Sequence, residues 1–156
     1  MIRWLVLLVS HGGMLAIGFA LGIYFLPILT APKGPDAALL AEASQSAEYQ
    51  AALTRDLKGS DFLHWGEGSI SLSQDKIVHT GALSPGPDYK LYLVTEFVED
   101  EAGFEALREN AVQIADINTF DGFIADVPEG VNIEDYTTVL VWCEAFSEFI
   151  TAAKYR

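Results

Sequence analysis

Three side chains in the acidic part of this chain could bind a metal or take part in redox chemistry: Cys143, His64 and His79. A cysteine thiolate can bind soft metals or haem iron and can react with oxidants, and two imidazoles beside it make the ligand set typical of blue copper sites. Both methionines, Met1 and Met14, precede this part of the chain. A methionine axial ligand from the same domain is therefore excluded.

Each of the three residues also has a purely structural interpretation. Cys143 follows an apolar run at 139–142, which is typical of a buried and inert core cysteine, and the histidines can be ordinary hydrogen-bonded side chains. Because Cys143 is the only cysteine, a disulfide within the chain, a Cys-x-x-Cys metal site and the covalent c-type haem motif are all excluded. The cofactor stays unknown, with His64, His79 and Cys143 as candidate metal ligands and Cys143 as the candidate redox or ligand residue.

Motifs typical of several enzyme classes are absent from the sequence. It contains no Gly-x-Ser-x-Gly nucleophile elbow, no P-loop and no His-Glu-x-x-His pattern. Hydrolase and nucleotide-binding sites are therefore not indicated, the catalytic residues are unknown, and the sequence does not favour an enzyme.

The first thirty residues are expected to form a membrane anchor. From Trp4 to Leu29 the chain is almost wholly apolar, and about 20 such residues suffice to cross the hydrocarbon as a helix. A cleaved signal peptide is the alternative, but its apolar region is usually about 7 to 15 residues long and ends at a small-x-small site. The exit sequence 29–32 reads Leu-Thr-Ala-Pro, which does not fit such a site. We expect a retained transmembrane segment over residues 1–31.

Two features of this segment concern its neighbours and its orientation. Gly18 and Gly22 have the small-x-x-x-small spacing that lets another helix approach closely, although the same face could simply contact lipid. The positive charge of Arg3 on one side of the membrane segment is nearly balanced by that of Lys33 on the other side. We favour a single-pass protein of the bacterial inner membrane with a cytoplasmic N-terminus and a periplasmic C-terminal domain.

The remaining chain divides into a linker, residues 32–58, and a strand-rich domain, residues 59–156. Asp36 is a good N-cap for a helix that we expect to continue to about Leu57. A short helix is predicted between Glu99 and Val112. The other apolar patterns predict strands, including a hairpin, at 69–72, 76–80, 89–94, 122–127, 137–143 and 146–153. The domain is therefore expected to be mainly β.

The segment Val139–Cys143 is apolar on both faces, which is typical of a strand buried on both sides in the middle of a sandwich.

Charge is distributed very unevenly along the chain. The net charge is -13, and every Asp and Glu lies at or after Asp36. Such a surface repels nucleic acid and anionic lipid headgroups, so a charged protein partner is expected to be basic.

The chain from about Phe62 to Tyr155 resembles the DM-thirteen domain, a family of small extracytoplasmic modules described as electron-transfer proteins. The resemblance rests on three blocks, which are the hairpin around Gly66 and Gly68, the loop and strand at 86–93, and residues 136–146 with their Trp-Cys-x-x-Phe motif. It implies a β-sandwich-like fold and a redox role, with Cys143 at the active or ligand position.

Two functions follow as hypotheses. The first is a membrane-anchored extracytoplasmic module that works with electron-transfer proteins, and Cys143 would carry its chemistry. The second is a non-catalytic accessory or assembly subunit of a larger membrane complex, respiratory or photosynthetic. Such a subunit would bind through Gly18 and Gly22 of its helix and through its acidic domain.

Overall fold

The computed structural model describes all 156 residues and contains three α-helices and eight strands. Short 3-10 turns lie at Ser44–Ser46, Arg108–Asn110 and Ile133–Asp135. The elements follow in the order α1 (Ile2–Thr30), α2 (Ala37–Ala43), β1 (Tyr49–Leu53), β2 (Gly66–Leu72), β3 (Lys76–Leu83), β4 (Tyr89–Val94), α3 (Glu101–Leu107), β5 (Val112–Ile117), β6 (Phe123–Asp126), β7 (Thr138–Cys143) and β8 (Glu148–Lys154). The prediction of a mainly β domain behind one long apolar helix is confirmed.

The strands form two four-stranded antiparallel sheets. Sheet A has the order β1-β2-β3-β6, and sheet B has the order β5-β4-β7-β8. Alternate side chains of the two sheets, such as Ile70, Leu91 and Val141, meet in one core of 19 buried residues. Because successive side chains of a strand point to opposite faces, each sheet contributes every second residue to this core. The fold is therefore β-sandwich-like, as the sequence predicts.

Strand β7 is buried on both of its faces, and this confirms the prediction for Val139–Cys143. Its residues Val139 and Cys143 lie in the core between the sheets. Trp142 points the other way into a second cluster, where its ring centroid lies 4.7 Å from that of Phe104 of α3. Helix α3 is capped by Asp100, and its Phe104 packs on this outer face of sheet B, where every residue of β7 is buried.

The helix predicted from Asp36 to about Leu57 is correct at its start and wrong in its second half. The side chain of Asp36 accepts a hydrogen bond of 2.9 Å from the backbone N–H of Leu39, but α2 ends at Ala43. The following residues form β1, which pairs with β2 and buries Leu53. Helix propensity is a weak preference that sheet pairing overrides. Sheet A therefore includes part of the segment 32–58.

The short helix predicted between Glu99 and Val112 is shorter in the structure. Helix α3 ends at Leu107, a 3-10 turn follows, and Val112 instead begins β5 at the edge of sheet B. Ile114 and Ile117 of β5 are buried in the core between the sheets. This burial of apolar side chains favours the extended conformation of the segment.

Helix α1 is 29 residues long and has a mean hydropathy of 2.0 in its most apolar window. At about 1.5 Å per residue it is roughly 43 Å long, which exceeds the hydrocarbon thickness of a bilayer. None of its residues is buried within the chain. By length and composition it can cross a membrane.

Candidate functional site

A cavity of about 330 Å³ lies at the end of the sandwich where β4 and β8 begin and β7 ends. Sites for small molecules usually have volumes of about 300 to 1,000 Å³, so this cavity is at the small end of that range. Most of its walls are apolar. They come from Ala20, Ile23 and Tyr24 of α1, Leu63 and His64 before β2, the loop 85–87, Tyr89 of β4, and Cys143, Phe146, Glu148 and Ile150 around the β7–β8 turn.

Cys143 is the last residue of β7, and only 2% of it is exposed. Burial raises the pKa of its thiol, because the charged thiolate loses solvation. The nearby backbone N–H groups of Phe146, Asp88 and Ala145 oppose this effect, since they favour the charged thiolate. The thiol is therefore protonated at neutral pH. The nearby backbone N–H groups would favour the thiolate if a positively charged ligand stabilised it.

Tyr89 stands opposite Cys143 in the sheet register and lines the same cavity. Burial raises the pKa of its phenol far above the usual value, and its hydroxyl lies 3.4 Å from the Oγ of Ser84. Gly86 makes room for the ring, because a Cβ at that position would come within 2.3 Å of the Tyr89 Cε1 atom. Tyr89 is thus a neutral polar group held in a defined place on the cavity wall.

His64 is the second of the three candidate ligands in this cavity. Its Nδ1 lies 3.2 Å from the Oδ2 of Asp61, whose Oδ1 accepts the backbone N–H groups of Leu63 and His64 at 2.6 and 2.7 Å. Burial works in the opposite direction, but these hydrogen bonds leave the pKa of Asp61 lower than usual. A carboxylate on Nδ1 orients the imidazole and leaves Nε2 as the nitrogen for a ligand or a proton.

His79 lies away from the cavity in sheet A and is fully buried. Its Nε2 is 3.0 Å from the carbonyl oxygen of Glu67, its ring packs against Phe123, and its Nδ1 has no hydrogen-bond partner. No group of three or more His, Cys, Asp and Glu side chains is arranged to hold a metal ion. The structure therefore brings His64 and Cys143 to one cavity and places His79 among core residues.

The buried His79 predicts a loss of stability in mild acid. Burial lowers the pKa of its imidazole, and the bond to Glu67 only partly opposes this. The unfolded chain, with an ordinary pKa of about 6.5, then binds the proton more readily than the folded chain does. We expect the free energy of unfolding to fall as the pH drops below about 6.5, by about 1.4 kcal/mol for each unit of pKa difference. Urea unfolding between pH 7.5 and 5 measures this.

The matched control for this titration is the variant His79→Gln, which keeps a polar side chain that cannot ionise. Its unfolding free energy should vary less with pH than that of the unaltered chain. Carboxylates with lowered pKa values, such as Asp61, titrate below this window and do not obscure it. Equal pH dependence in both proteins would contradict the assignment.

An ionic cluster fixes the turn that follows Cys143. Glu144 accepts hydrogen bonds from the hydroxyl of Tyr92 and from Arg108. The guanidinium carbon of Arg108 also lies 5.8 Å from the ring centroid of Trp142. The turn is therefore anchored to β4 and to the 3-10 turn that follows α3, and these contacts hold Cys143 in place.

Sequence reasoning missed part of this site. Phe146 stands in the block at 136–146, but the sequence does not predict that it lines a cavity. The Asp61 and His64 pair has only the spacing Asp-x-x-His as a signal.

Gly18 and Gly22 lie on α1 in a shallow apolar groove with Phe19, Ile23 and Leu26. A Cβ at either glycine would meet no atom within 4 Å, so nothing in this chain packs against them.

A family model described as "Electron transfer DM13" matches residues 56–155. The match contains strands β2 to β8, Cys143 and the domain side of the cavity. No curated protein and no solved structure matches the chain.

Proposed function

The chain belongs to the electron transfer DM13 family, and from this premise we propose that it is a membrane-anchored electron-transfer module in which Cys143 is the redox or ligand residue. One observation carries the proposal. The only cysteine of the chain lies on the wall of a mostly apolar cavity, inside the matched region.

Two kinds of chemistry are open to this thiol, and both begin with loss of its proton. The thiolate could bind a soft metal or haem iron, or a two-electron oxidant such as a peroxide could convert it to a sulfenic acid and be reduced itself. The nearby backbone N–H groups of Phe146, Asp88 and Ala145 would favour the thiolate in either case. His64 is the one imidazole on the cavity wall, so it is the side chain best placed to act as a second ligand or as a proton donor.

The purified full-length chain in detergent tests the proposal. Visible absorbance, metal content and thiol reactivity should be measured on the same sample, before and after addition of a mild oxidant. We expect a bound chromophore or metal, or a thiol that is oxidised and reduced reversibly. A colourless, metal-free protein with an unreactive thiol would contradict the assignment of Cys143.

The membrane location belongs to the same proposal. Helix α1 would be retained in the mature protein and would cross the bacterial inner membrane once, with the acidic domain in the periplasm. Its length of 29 residues and its hydropathy of 2.0 support a spanning role, although a signal sequence can share these properties. The mature N-terminus and protease accessibility in membrane vesicles test it, and a mature chain that begins after Ala31 would contradict it.

A second candidate function is that of an accessory subunit in a larger membrane complex, with a basic partner on the acidic domain. The open groove at Gly18 and Gly22 supports it, because small residues let a partner helix approach closely. The net charge of -13 supports the choice of a basic partner.

Leucine substitutions in α1 test this second function. The double variant Gly18→Leu and Gly22→Leu should lose partners that co-purify with the chain in mild detergent, because the bulky side chains fill the groove. The variant Gly13→Leu is the matched control, since it adds the same side chain on a different side of the helix. A chain that runs alone in mild detergent would rule out the accessory function.

A further inference from the structure

Three large apolar side chains are exposed near the cavity end of the sandwich. Phe62 is 88% exposed, Phe146 is 52% exposed and Leu63 is 47% exposed. We call these three residues the apolar tip. Outside α1 and this tip, only Leu39 and Phe97 are large apolar residues with comparable exposure. Exposed apolar side chains that lie together typically mark a contact surface.

The position of the apolar tip relative to the bilayer follows from where the membrane-spanning part of α1 ends. A hydrocarbon layer of about 30 Å takes about 20 helical residues. Arg3 favours the interface at the start of α1, so a span that begins at Trp4 ends near Ile23. Tyr24 then lies at the boundary on the domain side, which is where tyrosine side chains are enriched in membrane helices.

The tip lies at the level of this boundary. Leu63 and Phe146 face Ile23 and Tyr24 across the cavity that contains Cys143. Phe62 and Leu63 line a second, neighbouring cavity, and Tyr24 is again part of its wall. The geometry points to an inference that rests on the anchoring proposed above: the apolar tip inserts into the interfacial zone of the bilayer that α1 crosses.

The chemistry of the tip residues fits a lipid surface as the occupant. Burial of aromatic and leucine side chains at the headgroup and acyl boundary is favourable without a basic patch, which this acidic domain lacks. Arg55, which lines the second cavity, stacks on the ring of Trp65 with its guanidinium carbon 3.3 Å from the ring centroid. Inserted tip residues would place the mouth of the Cys143 cavity at the membrane surface.

Spin labels on the full-length chain in phosphatidylcholine liposomes test the inference. A nitroxide is attached to the variant Phe62→Cys and, as the matched control, to Phe97→Cys. Phe97 follows β4 at the end of the sandwich away from the cavity and is 40% exposed. Cys143 is 2% exposed, so the unaltered chain treated with the same label gives the background. Collision rates with oxygen, which concentrates in lipid, and with a water-soluble nickel chelate report depth.

We expect the ratio of oxygen to nickel collisions to be clearly higher at position 62 than at position 97. A ratio at 62 equal to that at 97 would overturn the inference. A label at 62 that is shielded from both reagents would also overturn it, because protein and not lipid would then cover the tip.

A third label, on Leu15→Cys, separates failure of the inference from failure of the anchoring. Position 15 lies in the middle of α1, so its label should meet oxygen and not the nickel chelate. If it does so while position 62 stays in water, only the inference about the tip fails. If position 15 is itself in water, both the anchoring and the inference fail.

Discussion

Replacing Cys143 with serine is expected to remove any visible absorbance, bound metal or reversible oxidation that the purified chain displays, while the fold persists. A serine hydroxyl neither binds soft metals strongly nor undergoes reversible oxidation as a thiol does. Serine is close in size to cysteine, and the nearby backbone N–H groups of Phe146, Asp88 and Ala145 favour a polar oxygen at this position. The free energy of unfolding should therefore fall by only about 1 to 2 kcal/mol.

A change elsewhere in β7 separates chemistry from stability. Val139→Ala removes core volume from the same strand at the end away from the cavity, where Val139 is 1% exposed. It should lower the free energy of unfolding by about 2 kcal/mol and leave absorbance, metal content and thiol oxidation unchanged. If Cys143→Ser retained the redox behaviour of the unaltered chain, the chemistry would lie elsewhere and the accessory function would be favoured.

The largest loss of stability is expected from Gly68→Ala. Gly68 has a φ of +117° and faces Gly81 across the β2–β3 ladder. A Cβ at Gly68 would lie 2.2 Å from the carbonyl oxygen of Thr80 and 2.7 Å from the Cα of Gly81. Backbone atoms cannot rotate away as a side chain can, so the two strands must separate locally. With the strain of the positive φ added, we expect a loss of about 3 kcal/mol or more in urea unfolding.

Gly130→Ala is the matched control for this prediction. Gly130 also has a positive φ, +86°, but a Cβ there would meet nothing within 4 Å. Only the conformational strain applies, at about 1 to 2 kcal/mol. Equal losses in the two variants would show that the close contact between the strands does not matter.

The sequence pattern identifies the elements that consist of a continuous apolar run. Helix α1 and strand β7 are of this kind, because nearly every residue in each is apolar and no other structure accommodates such a run. Strand β1 was missed because Tyr49 to Leu53 continues an alanine-rich stretch that locally favours helix. This strand is extended because it pairs with β2. A local sequence pattern does not show which distant segment a strand pairs with.

The candidate site shows the same limit of local information. Cys143 is identifiable because it is the only cysteine, but the backbone N–H groups near its sulfur come from the turn after β7 and from the loop before β4. From the sequence alone, His64 and His79 are equally good candidates for a metal ligand. Only the packing of the sheets places one on the cavity wall and the other in the core.

The segment Ala31–Asp36 between α1 and α2 is only six residues long. Fully extended it would reach about 20 Å, and Gly34 within it is packed so closely on Asp121 that a Cβ would come within 2.2 Å of the carboxylate. With α1 in a bilayer, the domain could not swing outward to meet a distant partner. Encounters with other proteins would then depend on lateral diffusion in two dimensions, or on soluble carriers that come to the lipid surface themselves.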